Sequence, residues 1–280
     1  MRLTSTGLFS MAGLRNQLYS AVCGYLGAVS FGYVIGYSSP ALPQMTVFQH
    51  DDAAASWFGS IVTLGGIIGS VFAGWFLQRH GRRTVMLGAA IPFLSGWAFI
   101  YMGTTVSVLC VGRFLTGVGC AVALVAVPLY IGETASKDLR GMLGSGVQLF
   151  IAVGILLVYA LGLMFNWREL ALIGTIIPVL AVMIGLRAPE SPRCLLDIGR
   201  RGEAVATLAW LRESAAVAEE ECRDMEESTS SLMARASLSD LFRRDELFRP
   251  LMIGVMTMVF QQIGGINVVI FYTVSIFQVD

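Results

Sequence analysis

Long apolar runs without Asp, Glu, Lys or Arg alternate along this chain with short charged segments. A membrane-spanning helix needs about 17–25 mainly apolar residues, and seven of the runs are long enough. The pattern predicts an all-α, polytopic membrane protein with seven spans. The seven uncharged windows are 16–50, 53–78, 84–112, 114–132, 141–167, 170–186 and 250–279.

The composition supports this prediction. The 280 residues are 55% hydrophobic and 14% charged, with a mean hydropathy of +0.71, whereas a soluble domain carries about 25% charged residues. A soluble enzyme is therefore excluded, and a net charge of zero without a basic stripe argues against nucleic-acid binding. No pair of the five cysteines has metal-ligand spacing, so we expect structural thiols, no metal and no cofactor.

The basic residues predict the orientation of the spans. Seventeen of the nineteen Lys and Arg residues fall in alternate connecting segments, 1–17, 79–83, 133–140 and 187–249. The positive-inside rule places these segments in the cytosol and the end of span seven outside. Seven-helix receptors have the opposite orientation, and span seven contains no lysine that could hold a retinal.

One sizeable polar segment follows span six. Residues 200–214 place Ala204, Leu208 and Leu211 on one helical face, which predicts a short amphipathic helix on the cytosolic side. Residues 217–228 are consistent with either an acidic helix or a disordered stretch, and 237–250 form a second amphipathic segment. The alternative is a solvated linker.

A set of short motifs lies at the ends of the spans. In chain order they are GWFLQRHGRR (74–83), GRFLTGVG (112–119), PLYIGE (128–133), PESPR (189–193) and QQIGGIN (261–267). Together the motifs resemble the sugar porter family of the major facilitator superfamily. SFGYVIGYSSPALP (30–43) and ASWFGS (55–60) are most similar to a subgroup with animal hexose and insect trehalose transporters.

The resemblance implies the major facilitator fold, in which two six-helix halves enclose a sugar site that opens alternately to each side. This chain would hold spans 1–7 of an expected 12. The implied division is a cytosolic N-terminus (1–17), a six-helix half (18–187), a cytosolic loop with short helices (188–249) and the seventh span (250–280).

We expect a fragment of a longer protein rather than a short isoform, because the family's site is built between the two halves. Immunoblotting of the native polypeptide with an antibody against residues 200–240 separates the two. A fragment predicts a mass well above 30.2 kDa, and a short isoform a mass near that value.

Four amides are the candidate sugar ligands. Sugar hydroxyls donate and accept hydrogen bonds, as amides do, whereas buried charges would be costly. Gln148 stands alone in apolar span five, and Gln261, Gln262 and Asn267 surround two adjacent glycines that weaken the helix. By resemblance all four match the family's sugar ligands, although Gly264 replaces a common Ser or Thr. Alternatively, the amides join helix to helix.

Charged residues at the cytosolic span ends are the candidate gate. In the family, matching residues form salt bridges that tie the helix ends while the site faces outward. An exposed pair is worth about 0–1 kcal/mol, which suits contacts that break in every cycle. Alternatively, the charges only hold the topology. The gate residues are Arg79, Arg82, Arg83, Glu133, Arg140, Glu190 and Arg193, and the chain departs from the family at Gln78 and Cys194.

The sequence favours transport without proton coupling. A coupled transporter needs a protonatable group within the membrane, usually a carboxylate, and none lies in the seven windows. By resemblance, the symporters carry Asp directly after FGY, where this chain has Val34. Arg113 matches the partner of that Asp, and we expect it instead to cap polar groups near the outer mouth.

We therefore predict a facilitative sugar transporter, not an enzyme, that moves a hexose or trehalose by alternating access. The alternatives are a proton-coupled symporter and a sugar-sensing or truncated regulatory relative. The expected partners are a small sugar and the lipid bilayer, with a monomeric transport unit in the full-length protein. We expect the plasma membrane as its location, with endosomal or lysosomal membranes as the alternative.

Overall fold

The computed structural model describes residues 11–48, 51–233 and 245–277, and these ranges contain helices and no strand. Two short 3-10 helices, Leu42–Gln44 and Thr46–Phe48, lie between α1 and α2. The α-helices are α1 (Met11–Ala41), α2 (Asp52–His80), α3 (Arg82–Gly88), α4 (Ala90–Met102), α5 (Val106–Thr134), α6 (Arg140–Gly162), α7 (Trp167–Gly185), α8 (Pro192–Asp197), α9 (Arg201–Arg212), α10 (Ala215–Met233), α11 (Asp245–Ile263) and α12 (Ile266–Phe277).

The structure confirms the seven predicted spans. Seven helical stretches of the described chain are long and apolar enough to cross a membrane. Helices α3 and α4 together form the third span, and α11 and α12 form the seventh. The fourth span begins at Val106, earlier than its uncharged window, because Arg113 lies within the helix instead of ending it.

Glycines allow the long helices to cross at backbone contact. Helix α1 packs along α6, and α2 packs along α5. A methyl group added at Gly32 would lie 2.0 Å from the carbonyl oxygen of Ile151, and one at Gly65 would lie 2.1 Å from that of Phe114. Because these neighbours are backbone atoms, a larger side chain would push the helices apart.

An aromatic group fixes α1 against α4 and α7. The Trp97 ring lies 5.7 Å from Tyr33 and 5.0 Å from Tyr37, both in edge-to-face geometry. The Tyr33 hydroxyl donates to the carbonyl of Leu170 at 2.8 Å, and that of Tyr37 donates to Trp167 at 2.7 Å. These polar groups therefore have partners inside the apolar core, as the membrane interior requires.

The polar segment after span six folds into three helices, α8–α10, with a core of their own. Ala204, Leu208 and Leu211 are each 0% exposed, which confirms the amphipathic helix predicted over 200–214. Ala204 and Leu208 form a buried cluster with Leu195 of α8 and with Ala218 and Cys222 of α10. Burial raises the pKa of the Cys222 thiol above its ordinary value.

The acidic segment is helical, since residues 217–228 lie within α10. Arg201 of α9 pairs with Glu219 at 2.5 Å and with Glu226 at 3.1 Å. The hydrogen bond that the Arg201 guanidinium donates to Glu219 raises the pKa of Arg201. Within the second amphipathic segment, residues 237–244 lie outside the described residues and 245–250 begin α11.

Side chains of α1 cap the last turn of α9. The side-chain amides of Asn16 and Gln17 donate to the carbonyl oxygens of Trp210 at 2.7 Å and Leu211 at 3.3 Å. The last four carbonyls of a helix have no partner in their own helix, so these bonds satisfy two of them. Gln17 also accepts from the backbone N–H of Ser136 at 2.8 Å, which joins α1, α9 and the α5–α6 connection.

Candidate functional site

Arg82 is the centre of the charged contacts at the ends of the helices that the basic residues predict to be cytosolic. Its guanidinium lies 3.0 Å from the Glu133 carboxylate and 3.3 Å from that of Asp197. The Ser191 hydroxyl donates to the same Glu133 carboxylate. The Arg82 and Glu133 side chains are only 14% and 9% exposed, so solvent screens this pair weakly. These contacts tie α3 to α5 and α8.

Arg83 and Glu190 lie together, although they form no direct salt bridge. The Arg83 guanidinium donates to the carbonyl of Gly185 at 3.0 Å and to that of Leu186 at 2.5 Å, at the end of α7. The Glu190 carboxylate accepts from the backbone N–H of Arg83 at 2.8 Å, in the first turn of α3. Each charge thus lies at the helix end whose dipole it complements.

The other three candidate gate residues lie apart from these contacts. Arg79 is exposed and stacks over the Trp75 ring at 5.5 Å. Arg140 and Arg193 are also exposed, and neither forms an ion pair with any residue that the structure describes. Sequence reasoning missed Asp197 and Ser191, although Ser191 lies in the PESPR motif itself.

Arg113 is fully buried at 0% exposure and is surrounded by neutral partners. Its guanidinium donates to the carbonyl of Val34 at 2.8 Å, to the Ser38 hydroxyl at 2.6 Å and to the carbonyl of Phe58 at 3.5 Å. It also lies within 5.8 Å of the Tyr37 ring and 5.3 Å of the Phe58 ring. The charge therefore joins α1, α2 and α5 with no carboxylate partner among the described residues.

The four candidate sugar ligands lie on two spans, the fifth and the seventh. Gln148 is exposed on α6, Gln261 and Gln262 are exposed near the end of α11, and Asn267 is half-buried in α12. The Asn267 amide donates to Gln262 Oε1 at 2.7 Å. The helix of span seven is interrupted between α11 and α12, with Gly265 at φ +68, at the two adjacent glycines that weaken it.

The outer part of span seven contacts α1 and α6 through hydroxyl groups that sequence reasoning missed. The Tyr159 hydroxyl donates to the carbonyl of Ile270 at 2.6 Å and lies 3.1 Å from Thr273 Oγ1. The backbone N–H of Val274 donates to Ser39 Oγ at 2.9 Å. In the sequence these two residues are recognisable only as hydroxyl-bearing residues in apolar spans. Many such hydroxyls bond only within their own helix, so the sequence does not single these two out.

Gln148 shares a face of α6 with Tyr159. The two residues are about three helical turns apart, a separation that returns a side chain to the same face. Because Tyr159 contacts span seven, Gln148 lies on the face of α6 that is turned toward span seven, which carries Asn267.

Comparison with known proteins identifies the family. The protein-family model described as "Sugar (and other) transporter" matches residues 20–279, nearly the whole chain. The chain belongs to this sugar transporter family. The family is one of transporters and not of enzymes, and the resemblance to sugar porters drawn from the motifs is confirmed.

Curated relatives in the family agree with this assignment. The chain is 40% identical over 269 residues to "Solute carrier family 2, facilitated glucose transporter member 8" from Mus musculus, covering 94% of the chain and 55% of that protein. It is 36% identical over 270 residues to "Facilitated trehalose transporter Tret1" from Apis mellifera ligustica, covering 94% and 54%. The chain therefore spans about half the length of the curated relatives it matches.

The fold is also that of a family member of known structure. The proton:xylose symporter XylE, bound to 6-bromo-6-deoxy-D-glucose, superposes with a TM-score of 0.79 at 25% identity, over 93% of this chain and 62% of that one. The inward-open xylose transporter XylE from E. coli superposes with a TM-score of 0.73 at 24% identity, over 92% and 63%. Both support the major facilitator fold.

Proposed function

We propose that this chain carries the first six-helix half and the seventh span of a facilitative sugar transporter that works by alternating access. Residues 18–187 are the half, 188–249 the cytosolic loop and 250–280 the seventh span. The observation that carries the proposal is the family match over residues 20–279. The substrate is a hexose or trehalose, in keeping with the printed names of the relatives from Mus musculus and Apis mellifera ligustica.

The sugar site in this proposal is built on Gln148, Gln261, Gln262 and Asn267. Three of the amides are exposed in the described chain and so remain available to a ligand. Asn267 and Gln262 orient each other through their 2.7 Å hydrogen bond. A pair of amides held in this way presents both donors and acceptors to a sugar hydroxyl.

The cytosolic gate in this proposal centres on Arg82 and Glu133, with Arg83 and Glu190 beside them. These contacts join α3 to the ends of α5, α7 and α8, so they hold the cytosolic ends of the helices together. Arg79, Arg140 and Arg193 belong to its periphery, where their charges favour cytosolic placement.

Transport without proton coupling is supported by the surroundings of Arg113. The position that carries the symporters' Asp by resemblance is Val34, and the guanidinium takes a carbonyl there at 2.8 Å. With neutral acceptors around this charge, no proton needs to bind and leave during the cycle. We place the protein in the plasma membrane as a monomeric transport unit.

The test is sugar uptake by the native polypeptide, captured with an antibody against residues 200–240 and reconstituted in proteoliposomes. Radiolabelled glucose and trehalose serve as probes, with and without an inward proton gradient. Saturable uptake that is unchanged by the gradient supports the proposal. Uptake that depends on the gradient contradicts uniport, and no uptake of either sugar contradicts the substrate assignment.

A further inference from the structure

We propose that Ser39 and Tyr159 are positioning residues that hold the outer end of span seven in a bent form by taking over the two ends of one helical hydrogen bond. In an unbroken α-helix the N–H of Val274 would donate to the carbonyl of Ile270, four residues earlier. Here the N–H donates to Ser39 Oγ of α1 at 2.9 Å. The carbonyl accepts from the Tyr159 hydroxyl of α6 at 2.6 Å.

The backbone of span seven bends between Ile270 and Val274, the two residues whose helical hydrogen bond is replaced. Tyr272 lies between the two groups and has φ −123 and ψ 19, outside the helical region. A kink of this kind arises where a side chain enters the ladder of helical hydrogen bonds. Two side chains do so here, and each comes from a different helix of the six-helix half.

Span seven contacts the six-helix half close to the bend. Val268 and Val269 are 60% and 52% exposed, whereas Phe271, next to the bend, is 8% exposed and joins the core of the six-helix half. The Tyr272 hydroxyl lies against α2, where a Cβ added at Gly59 would be 2.8 Å away. The bent segment is therefore docked on α1, α2 and α6.

The exchange relates two conformations that both satisfy the same backbone groups. In the bent form both backbone groups have hydroxyl partners, and in a straight form they would bond to each other. Neither form leaves a backbone group unpaired in the membrane. After release, a serine hydroxyl can bond a carbonyl of its own helix, as Ser30 does with Leu26. The contact is thus a reversible switch between two complete sets of hydrogen bonds.

The inference rests on the proposed function for its meaning. The bend lies between the amides Gln262 and Asn267 and the outer end of the span. Its angle therefore decides where the outermost turn of span seven lies relative to the sugar site. Ser39 and Tyr159 act through span seven and not by binding sugar.

The test measures the position of the outer end without any sugar. The 280-residue chain is placed in lipid nanodiscs, with spin labels on p-acetylphenylalanine at Leu163 and Ile276, so the native cysteines stay in place. Distances between the two spin labels are measured by pulsed electron paramagnetic resonance. The variants are Ser39→Ala, Tyr159→Phe and the double variant. Tyr25→Phe is the matched control, since the Tyr25 hydroxyl donates to the carbonyl of Leu143 and joins α1 to α6 without contacting span seven.

We expect each single variant to raise the ratio of a second, straight distance population to the bent one by about threefold to tenfold, the effect of one net hydrogen bond. The double variant should multiply the two factors, and Tyr25→Phe should leave the distances unchanged. Unchanged distances in both single variants, or an equal shift in Tyr25→Phe, would overturn the inference. The uptake experiment above tests the proposed function separately, because the distances are measured without substrate.

Discussion

Arg113 and Gln148 illustrate two uses of a polar side chain within the membrane. The Arg113 guanidinium is fully enclosed and its three acceptors are all neutral, so it serves to join helices. Gln148 is exposed on its helix. In the protein as proposed, that difference assigns Arg113 to the scaffold and Gln148 to the sugar.

Replacing Gln148 or Gln262 by Ala should raise the KM for sugar uptake by about threefold to tenfold. The physical reason is the loss of one hydrogen bond, worth about 0.5–1.5 kcal/mol. The effect is measured from the uptake kinetics of a recombinant protein that has the same length as the native polypeptide. Gln78→Ala, an exposed amide at the cytosolic end of α2, is the matched control and should leave the KM unchanged. A normal KM in both variants would reject the site.

At this scale the sequence revealed the amides but not the hydroxyls. An amide in an apolar span is rare enough to draw attention, as Gln148 did. Serine and threonine hydroxyls are frequent in spans and often bond their own helix, as Thr134 does with the carbonyl of Tyr130 at 2.8 Å. Only the structure, in which α1, α6 and span seven pack together, shows that Ser39 and Tyr159 bond to another helix.

The helices depend on close crossings and on charged contacts at their ends. The charge-free windows predicted the number of spans and most of their positions. They did not predict the start of α5 at Val106, because in the sequence a buried arginine within a span looks the same as a charged residue at the end of a span. They also did not predict the pairing of Arg82 with Asp197, since these two residues meet only through the docking of α8.

Gly65→Ala should destabilise the fold by about 1–3 kcal/mol, the usual cost of overpacking. The added methyl would lie 2.1 Å from a backbone carbonyl of α5, so the helices must move apart. Thermal unfolding in detergent measures the loss. The adjacent Gly66→Ala is the control, because nothing lies within 4 Å of its added methyl. Equal unfolding temperatures in the two variants would show that the crossing tolerates the methyl.

Glu133→Gln should open the cytosolic contacts, because Arg82 loses its closest carboxylate. Cys194 is a native reporter of this opening, since burial raises the pKa of its thiol and leaves little reactive thiolate at neutral pH. We expect its alkylation by a maleimide, followed by mass spectrometry, to accelerate at least threefold. Glu203→Gln, which breaks the exposed Arg200–Glu203 pair, should leave the rate unchanged. A rate that is equal in both variants would leave the Glu133 contact without a gating role.

The whole molecule combines a charge-poor membrane region with charge-rich helix ends and a charge-rich α8–α10 segment. Span number and family follow from the printed sequence, because they depend on summed composition and on motif order, and the orientation with these charges in the cytosol stays a prediction. The docking of α9 on α1 does not follow from it, since that contact consists of amide-to-carbonyl bonds that no charge pattern indicates.

Sugar uptake should vary less than twofold between pH 5.5 and 7.5 when the pH is equal on both sides of the membrane. The reason is that no Asp or Glu lies within the seven uncharged windows, so no carboxylate there needs to exchange a proton. Initial rates in proteoliposomes buffered at each pH provide the measurement. A tenfold change over this range would require a titrating group in the transport path.

The capping of α9 by α1 has a consequence for the synthesis of the protein. Asn16 and its acceptor Trp210 are separated by 194 positions along the chain. At about 5–20 residues per second, a ribosome needs roughly 10–40 s to produce that length. During that interval the side chains of Asn16 and Gln17 have no acceptors on α9. The N-terminal end of the first span is therefore completed only after α9 has emerged and folds back onto it.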